Sequence, residues 1–248
     1  IPRAREPISH SSFLTALPPM NSTASSSPDS MQPPVAKFSE TDRVDAFSDG
    51  VFAIVITLLG FELTVPEVEP VTGRMLVSTL AAQWPTYLVF VVSFVSLLIM
   101  WMNHHRLFQL IRSTSGGLMA ANGVLLMFAT TVPFATSILA GHLGTSAGQV
   151  AAAIYSGIFL LINLSYIGLW RIAASRLLYD SVPEAQIKRI DRSYLMGAPG
   201  YVLAGALAFV SPYVSLLVIV AFWLLWAMLP YADGGVRMGH QQPPQDAR

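Results

Sequence analysis

The chain has 248 residues, of which 53% are hydrophobic and only 11% are charged, with 14 basic and 14 acidic side chains. Soluble domains carry about 25% charged residues, so this composition excludes an ordinary soluble domain and indicates a membrane protein. The zero net charge gives no support for nucleic acid as a partner. Cysteine is absent, which excludes disulfides, thiolate metal ligands and cysteine nucleophiles.

In chain order, a polar segment precedes a run of apolar stretches. Residues 1–40 are rich in serine and proline and predict a disordered tail. A membrane-spanning helix needs about 20 mainly apolar residues. Six such stretches lie at roughly 44–63, 84–103, 118–139, 149–170, 194–210 and 213–230. The sequence therefore predicts an all-α membrane domain of six spans over residues 41–231, followed by a disordered tail over residues 232–248.

The basic residues orient this bundle. Lys and Arg gather in cytoplasmic loops, and every one except Arg74 falls on one side of the predicted membrane domain. Both termini are therefore expected in the cytoplasm, in a multi-pass protein of the cell membrane. The loop between the last two spans is little more than Ser211, Pro212 and Tyr213, which leaves no room for a re-entrant pore loop. The TVGYG filter of ordinary potassium channels is also absent.

Asp49 is the unusual residue of the first span. It lies about one turn inside the apolar stretch, where an unpaired carboxylate costs several kcal/mol. Arg43 precedes it by six residues and therefore occupies a different face of the helix. A partner from another helix is required. The candidates at matching depth are Trp101, Asn103, His104, His105 and Arg106 in the second span and Asn122 in the third.

Two interpretations of these polar residues stay open. Asp49, Ser48 and the histidines form either a satisfied polar cluster that clamps the first three spans together, or a proton relay. The side chains of adjacent histidines diverge by about 100° on a helix, so no metal site is expected from the pair. Ser48 and Asp49 are neighbours without a nucleophile elbow, and enzymatic chemistry is not expected.

Beyond Gly50 the first span is almost wholly apolar. Ile54, Thr57, Leu58 and Phe61 recur at helical spacing along one stripe. Such a stripe is ordinarily a packing or lipid-facing surface. The alternative is a pore wall, in which several copies around an axis would form stacked apolar rings that gate by dewetting, with Thr57 as a polar step.

The motif RVDAFSDGVFAIVITLL, followed by WMNHHRLF in the second span, resembles the transmembrane protein 175 family of potassium channels. The hallmark of that family is Arg, three residues, then Phe-Ser-Asp, which Arg43, Phe47, Ser48 and Asp49 match. With its six-span layout, the resemblance extends over roughly residues 37–230. It implies a potassium-selective channel without a pore loop, with first helices lining the pore. Single-repeat members form tetramers, so the resemblance implies a homotetramer in a lipid bilayer that conducts monovalent cations and carries no cofactor beyond permeant potassium.

The resemblance also implies roles for individual residues. Ile54 matches the narrowest constriction of the family and contributes to selectivity, and Leu58 matches a second apolar ring. Phe61 stands where an aliphatic residue is usual, as a third position of the gate, and Thr57 fits the position that selects among ions. Arg43, Phe47, Ser48 and Asp49 would brace the first helix against Trp101 and His105.

Two other functions remain open at this point. A proton channel or proton-coupled transporter would use Asp49 and His105, the ionisable residues at membrane depth. A membrane scaffold that conducts no ions is the other.

Overall fold

The computed structural model describes residues 39–64 and 72–228. Within these ranges the chain is helical, with one isolated bridge between Ile111 and Leu178 and no β-strand, which confirms the all-α expectation. The predicted tails lie outside the described residues, apart from Ser39 and Glu40. The described helices are α1 (Glu40–Leu58), a 3₁₀ segment (Leu59–Glu62), α2 (Gly73–Ala82), α3 (Trp84–Phe108), α4 (Gly116–Ala129), α5 (Val132–His142), α6 (Gly148–Arg176), α7 (Glu184–Ala208) and α8 (Pro212–Met228).

Side-chain caps set the beginnings of the helices near the candidate site. Ser39 accepts from the backbone N–H of Asp42, while the Asp42 carboxylate accepts from the N–H of Ser39. This capping box satisfies backbone donors that a helix N-terminus leaves free. Ser115 caps α4 through a single bond, in which its hydroxyl accepts from the N–H of Leu118. The sequence thus fixes where α1 and α4 begin.

Four segments among the described residues are long and apolar enough to cross a membrane. They are Glu40–Glu62, Trp84–Phe108, Gly116–His142 and Gly148–Arg176, and they agree with the first four predicted spans. The fifth and sixth predicted spans fall on α7 and α8. The first half of α7 is charged, and the described part of α8 is a shorter apolar helix.

The third predicted span, 118–139, is two helices rather than one. α4 ends at Ala129 and α5 begins at Val132, with Pro133 in its first turn. Proline has no N–H to donate, and its ring clashes with the carbonyl four residues earlier, so it favours a break in the helix at this position. The hydroxyls of Thr130 and Thr131 donate to backbone carbonyls three residues earlier and satisfy the junction.

Two helical segments lie outside the predicted spans. α2 has no buried residue, and α7 begins ten residues before residue 194. In this early part of α7, Ile190 is buried whereas Lys188 and Arg189 are exposed. α2 is too short, and the beginning of α7 too charged, to be predicted as a span of about 20 apolar residues.

α6 forms the centre of the bundle, where it contacts α4, α5, α7 and α8. Its Tyr155 hydroxyl is hydrogen-bonded to Ser93 of α3 at 2.9 Å, and Thr136 of α5 donates to the same serine at 2.7 Å. Such bonds satisfy polar groups that a bilayer could not. α1 lies at the edge of the bundle, against α3, α4 and α5.

Candidate functional site

α1 has two faces of opposite character. The face towards α3 and α4 buries Ser48, Phe52 and Val55, and Leu59 of the following 3₁₀ segment is buried as well. The opposite face carries the predicted stripe, where Ile54 is 60% exposed, Leu58 40% and Phe61 79% in the single chain. Only 22% of the apolar window of this segment is buried, less than in the other three candidate spans. The bundle therefore anchors one side of α1 and leaves the stripe uncovered.

Thr57 lies exposed on the uncovered side of α1. Its hydroxyl donates to the backbone carbonyl of Ile54 at 2.7 Å. This bond uses the single proton of the hydroxyl and leaves oxygen lone pairs on an otherwise apolar surface. The oxygen is thus a suitable ligand for a dehydrated cation.

The first polar group of the site joins α1 to α3 through Asp49 and Asp45. Trp101 donates its indole N–H to Asp49 Oδ1 at 2.8 Å. His105 Nδ1 lies 3.2 Å from Asp45 Oδ2, and the His105 ring stacks on that of Trp101. Asp45 and Asp49 are four residues apart, so they share a face of α1. Trp101 and His105 are likewise one turn apart on α3.

The second polar group joins three helices. Ser48 of α1 donates to the carbonyl of Val44 at 2.8 Å and accepts from the amide nitrogen of Asn122 in α4 at 2.9 Å. The Asn122 amide oxygen lies 2.8 Å from His104 Nε2 of α3. All three side chains are buried. This chain of bonds fixes the rotation of α1 relative to α3 and α4.

The structure brings together some of the predicted network residues and not others. Asp49, Trp101 and His105 meet, and Ser48 is held by Asn122 and His104. Arg43 is exposed on a groove that Phe47, Met119 and Asn122 also line. Among the described residues its guanidinium has no hydrogen bond or ion pair. Phe47 is 65% exposed on the uncovered side of α1.

Asp45 is the site residue that sequence reasoning missed. The partner of Asp49 was expected on another helix, so Asp45 on the same helix was not predicted. The spacing of Asp45 and Asp49 gave the available signal, because it puts both carboxylates on one helical face. Together with His105 they offer ligand atoms within 4.8 Å of one another, so this group is the candidate metal site among the described residues.

Comparison with known proteins identifies the family. A potassium channel of Chamaesiphon minutus is 44% identical over 192 residues, which cover 77% of this chain and 95% of that protein. The chain belongs to the TMEM175 family. The family profile, described as endosomal/lysosomal potassium channel TMEM175, matches residues 43–133. The resemblance drawn from the motifs of α1 and α3 is therefore confirmed.

Two further TMEM175 relatives bear on fold and function. The crystal structure of a lysosomal potassium-selective channel TMEM175 homologue from Chamaesiphon minutus superposes with a TM-score of 0.70 at 42% identity, covering 76% of this chain and 96% of that one. The human endosomal/lysosomal proton channel TMEM175 is 31% identical over 193 residues, which cover 74% of this chain but 36% of the human protein. The TMEM175 relatives thus carry names of both a potassium and a proton channel.

Proposed function

We propose that this chain is the subunit of a potassium-selective cation channel. The carrying observation is the uncovered stripe of α1, on the least buried of the four candidate spans. An apolar face that the bundle itself leaves open is available to line a pore shared by several copies. The names of the bacterial relative and of the superposed structure support potassium as the permeant ion.

The proposed assembly is a homotetramer with α1 of each subunit around a central axis. Closed cyclic symmetry turns one residue of the stripe into a ring. Ile54 forms the narrowest ring, with Leu58 and then Phe61 further along the pore, and these rings gate by excluding water. Thr57 contributes to selectivity because its hydroxyl oxygen replaces part of the hydration shell of the ion.

The proposed membrane topology has six spans, with the apolar part of α7 and α8 as the last two. The distribution of Lys and Arg supports cytoplasmic termini in the cell membrane. In this topology the groups around Asp49 and Ser48 lie near the cytoplasmic end of α1. They act as a brace that holds the pore-lining helix against α3 and α4, while Arg43 and Phe47 face away from the brace, available to a neighbouring subunit.

Ion flux in reconstituted liposomes tests this function. Wild-type protein is expected to conduct potassium in preference to sodium under opposing gradients. Ile54→Asn is expected to raise conductance several-fold and reduce selectivity, because an amide makes the constriction wettable. Leu217→Asn is the matched control, since Leu217 is 69% exposed on α8 and lies outside the proposed pore. Absence of flux from the purified wild type, or equal effects of the two substitutions, would contradict the proposal.

A proton channel is the second candidate, favoured by the ionisable residues Asp45, Asp49 and His105 and by the name of the human relative. The same liposomes separate the two functions when a pH-sensitive dye is enclosed. Acidification that proceeds without a potassium gradient and is abolished in Asp49→Asn would assign proton conduction. Potassium flux that persists in Asp49→Asn without acidification would assign potassium conduction.

A further inference from the structure

The hydrogen bonds around Asn122 determine which nitrogen of His104 carries the proton. The single proton of Ser48 Oγ goes to the carbonyl of Val44, so this hydroxyl accepts from the amide nitrogen of Asn122. The amide oxygen of Asn122 therefore points at His104 Nε2, 2.8 Å away. An oxygen acceptor requires a donor, so Nε2 of His104 bears the proton.

The other nitrogen of neutral His104 consequently presents a lone pair. Nδ1 lies 3.7 Å from Asp45 Oδ1, and the His104 side chain is fully buried. Neither of these two atoms has a hydrogen-bond partner among the described residues. Their separation exceeds hydrogen-bond length. Two acceptors thus face each other across a gap that no proton bridges.

Further ligand atoms surround the same carboxylate. His105 Nδ1 lies 3.2 Å from Asp45 Oδ2, and a carboxylate oxygen of Asp49 lies within 4.8 Å of both residues. Trp101 donates to Oδ1 of Asp49, which leaves the second oxygen of that carboxylate for another ligand. Two carboxylates and the His105 imidazole therefore converge at the junction of α1 and α3, and His104 Nδ1 faces one of these carboxylates, that of Asp45.

We propose that Asp45, Asp49 and His105 bind a divalent transition-metal ion such as Zn²⁺, with His104 Nδ1 as an additional donor. Ligands about 2.0–2.1 Å from a tetrahedral zinc ion lie about 3.3 Å from each other. The His105–Asp45 separation of 3.2 Å matches this ligand edge, and the His104–Asp45 separation of 3.7 Å is slightly longer. Asp49 offers a carboxylate oxygen within 4.8 Å of the other two ligand atoms, so its side chain would have to move closer to complete the site. Two negative charges balance the two positive charges of the metal.

The surroundings of the two imidazoles suit a metal site. The amide nitrogen of Gln109 lies 3.1 Å from His105 Nε2. A 180° rotation of this exposed amide would bring its oxygen to the same place, where it would accept the proton that Nε2 carries when Nδ1 binds the metal. Such an outer partner fixes the tautomer of a histidine ligand. The rings of Phe52 and Phe108 pack against His104 and limit access of water. The sequence predicted no metal site here, because the prediction rested on the two adjacent histidines as ligands and did not include Asp45.

Zinc binding to the full-length, tag-free protein in detergent tests this site separately from ion conduction. Isothermal titration with Zn²⁺ is expected to show one ion per chain. Asp45→Asn and His105→Gln should each weaken binding by about tenfold or more, because each removes a direct ligand. His142→Gln is the matched control. His142 is an exposed histidine on α5, with Nδ1 hydrogen-bonded to the Ile138 carbonyl, and its loss should leave zinc affinity unchanged.

Cobalt supplies a second measurement that does not depend on a variant folding. Wild-type protein titrated with Co²⁺ should develop the visible absorption of a site with nitrogen and oxygen ligands, and Zn²⁺ should displace it. Absence of that absorption would overturn the proposal even if Asp45→Asn or His105→Gln fails to elute as the wild type does. Zinc affinity that is unchanged in both variants, or reduced equally in His142→Gln, would also overturn it.

Discussion

At the scale of single residues, the bond between Trp101 and Asp49 shows how a carboxylate is accommodated within an apolar helix. The indole is half-buried and has one N–H, which it directs at Asp49 Oδ1 over 2.8 Å. The same side chain also stacks on His105. Trp101 therefore links an acidic residue of α1 to α3 and limits the freedom of α1 to rotate.

Removing the indole N–H is expected to weaken this link. Trp101→Phe keeps an aromatic ring but leaves Asp49 without its donor, at a cost of about 1–3 kcal/mol in the free energy of unfolding. The thermal midpoint in detergent should fall accordingly. Trp84→Phe is the matched control, because Trp84 stacks on Tyr213 and is half exposed. Equal losses in the two variants would show that the hydrogen bond contributes nothing specific.

The residues of the site were predictable to different degrees. The cost of a carboxylate at membrane depth pointed to Asp49, and depth alone placed Trp101, His105 and Asn122 among its possible partners. Depth does not determine rotation about a helix axis. The family resemblance implied that Asp49 and its neighbours meet Trp101 and His105. The contacts of Ser48 with Asn122 and of Asp45 with His105 came only from the packed structure. The exposure of the Arg43 side chain depends on the same rotation.

At the scale of helices, apolar length predicted the spans, and backbone chemistry modified them. The first four predicted spans agree with the described helices because about 20 apolar residues leave few alternatives in a bilayer. Pro133 divides the third of these into α4 and α5. Apolar length does not predict α2 or the charged beginning of α7. Short helices of this kind are stabilised mainly by tertiary contacts, which cannot be read from the periodicity of the sequence.

The contact between α7 and α8 depends on a glycine. A methyl group at Gly200 would overlap the ring of Phe222, so the two helices approach this closely only because the position has no side chain. Gly200→Ala is expected to lower the free energy of unfolding by about 1–3 kcal/mol, the usual cost of overpacking. Thermal unfolding measures this loss.

A second substitution provides the control for Gly200. Phe222→Leu removes the part of the ring that the new methyl group would meet, so the double variant should recover most of the stability lost in Gly200→Ala. Additive losses in the double variant would indicate that the glycine acts through backbone flexibility rather than through this contact.

At the scale of the whole molecule, the described bundle is one-sided with respect to α1. α6 is surrounded by four helices, whereas α1 is anchored along one face and bare along the other. The anchored face carries the polar bonds and the bare face carries the apolar stripe. This division suits a helix that must be held firmly while its other face lines a shared path for ions.

The absence of cysteine makes the proposed arrangement directly testable by cross-linking. If the stripes of neighbouring subunits surround one axis, single cysteines at position 54 come close enough to form a disulfide, which needs Cα atoms closer than about 7 Å. Ile54→Cys is therefore expected to give a covalent dimer on oxidation in the membrane. Leu217→Cys, on the exposed side of α8, should remain monomeric. A monomer in both variants would contradict the proposed arrangement, and a dimer in both would show that oxidation captures chance encounters and gives no support to a shared axis at position 54.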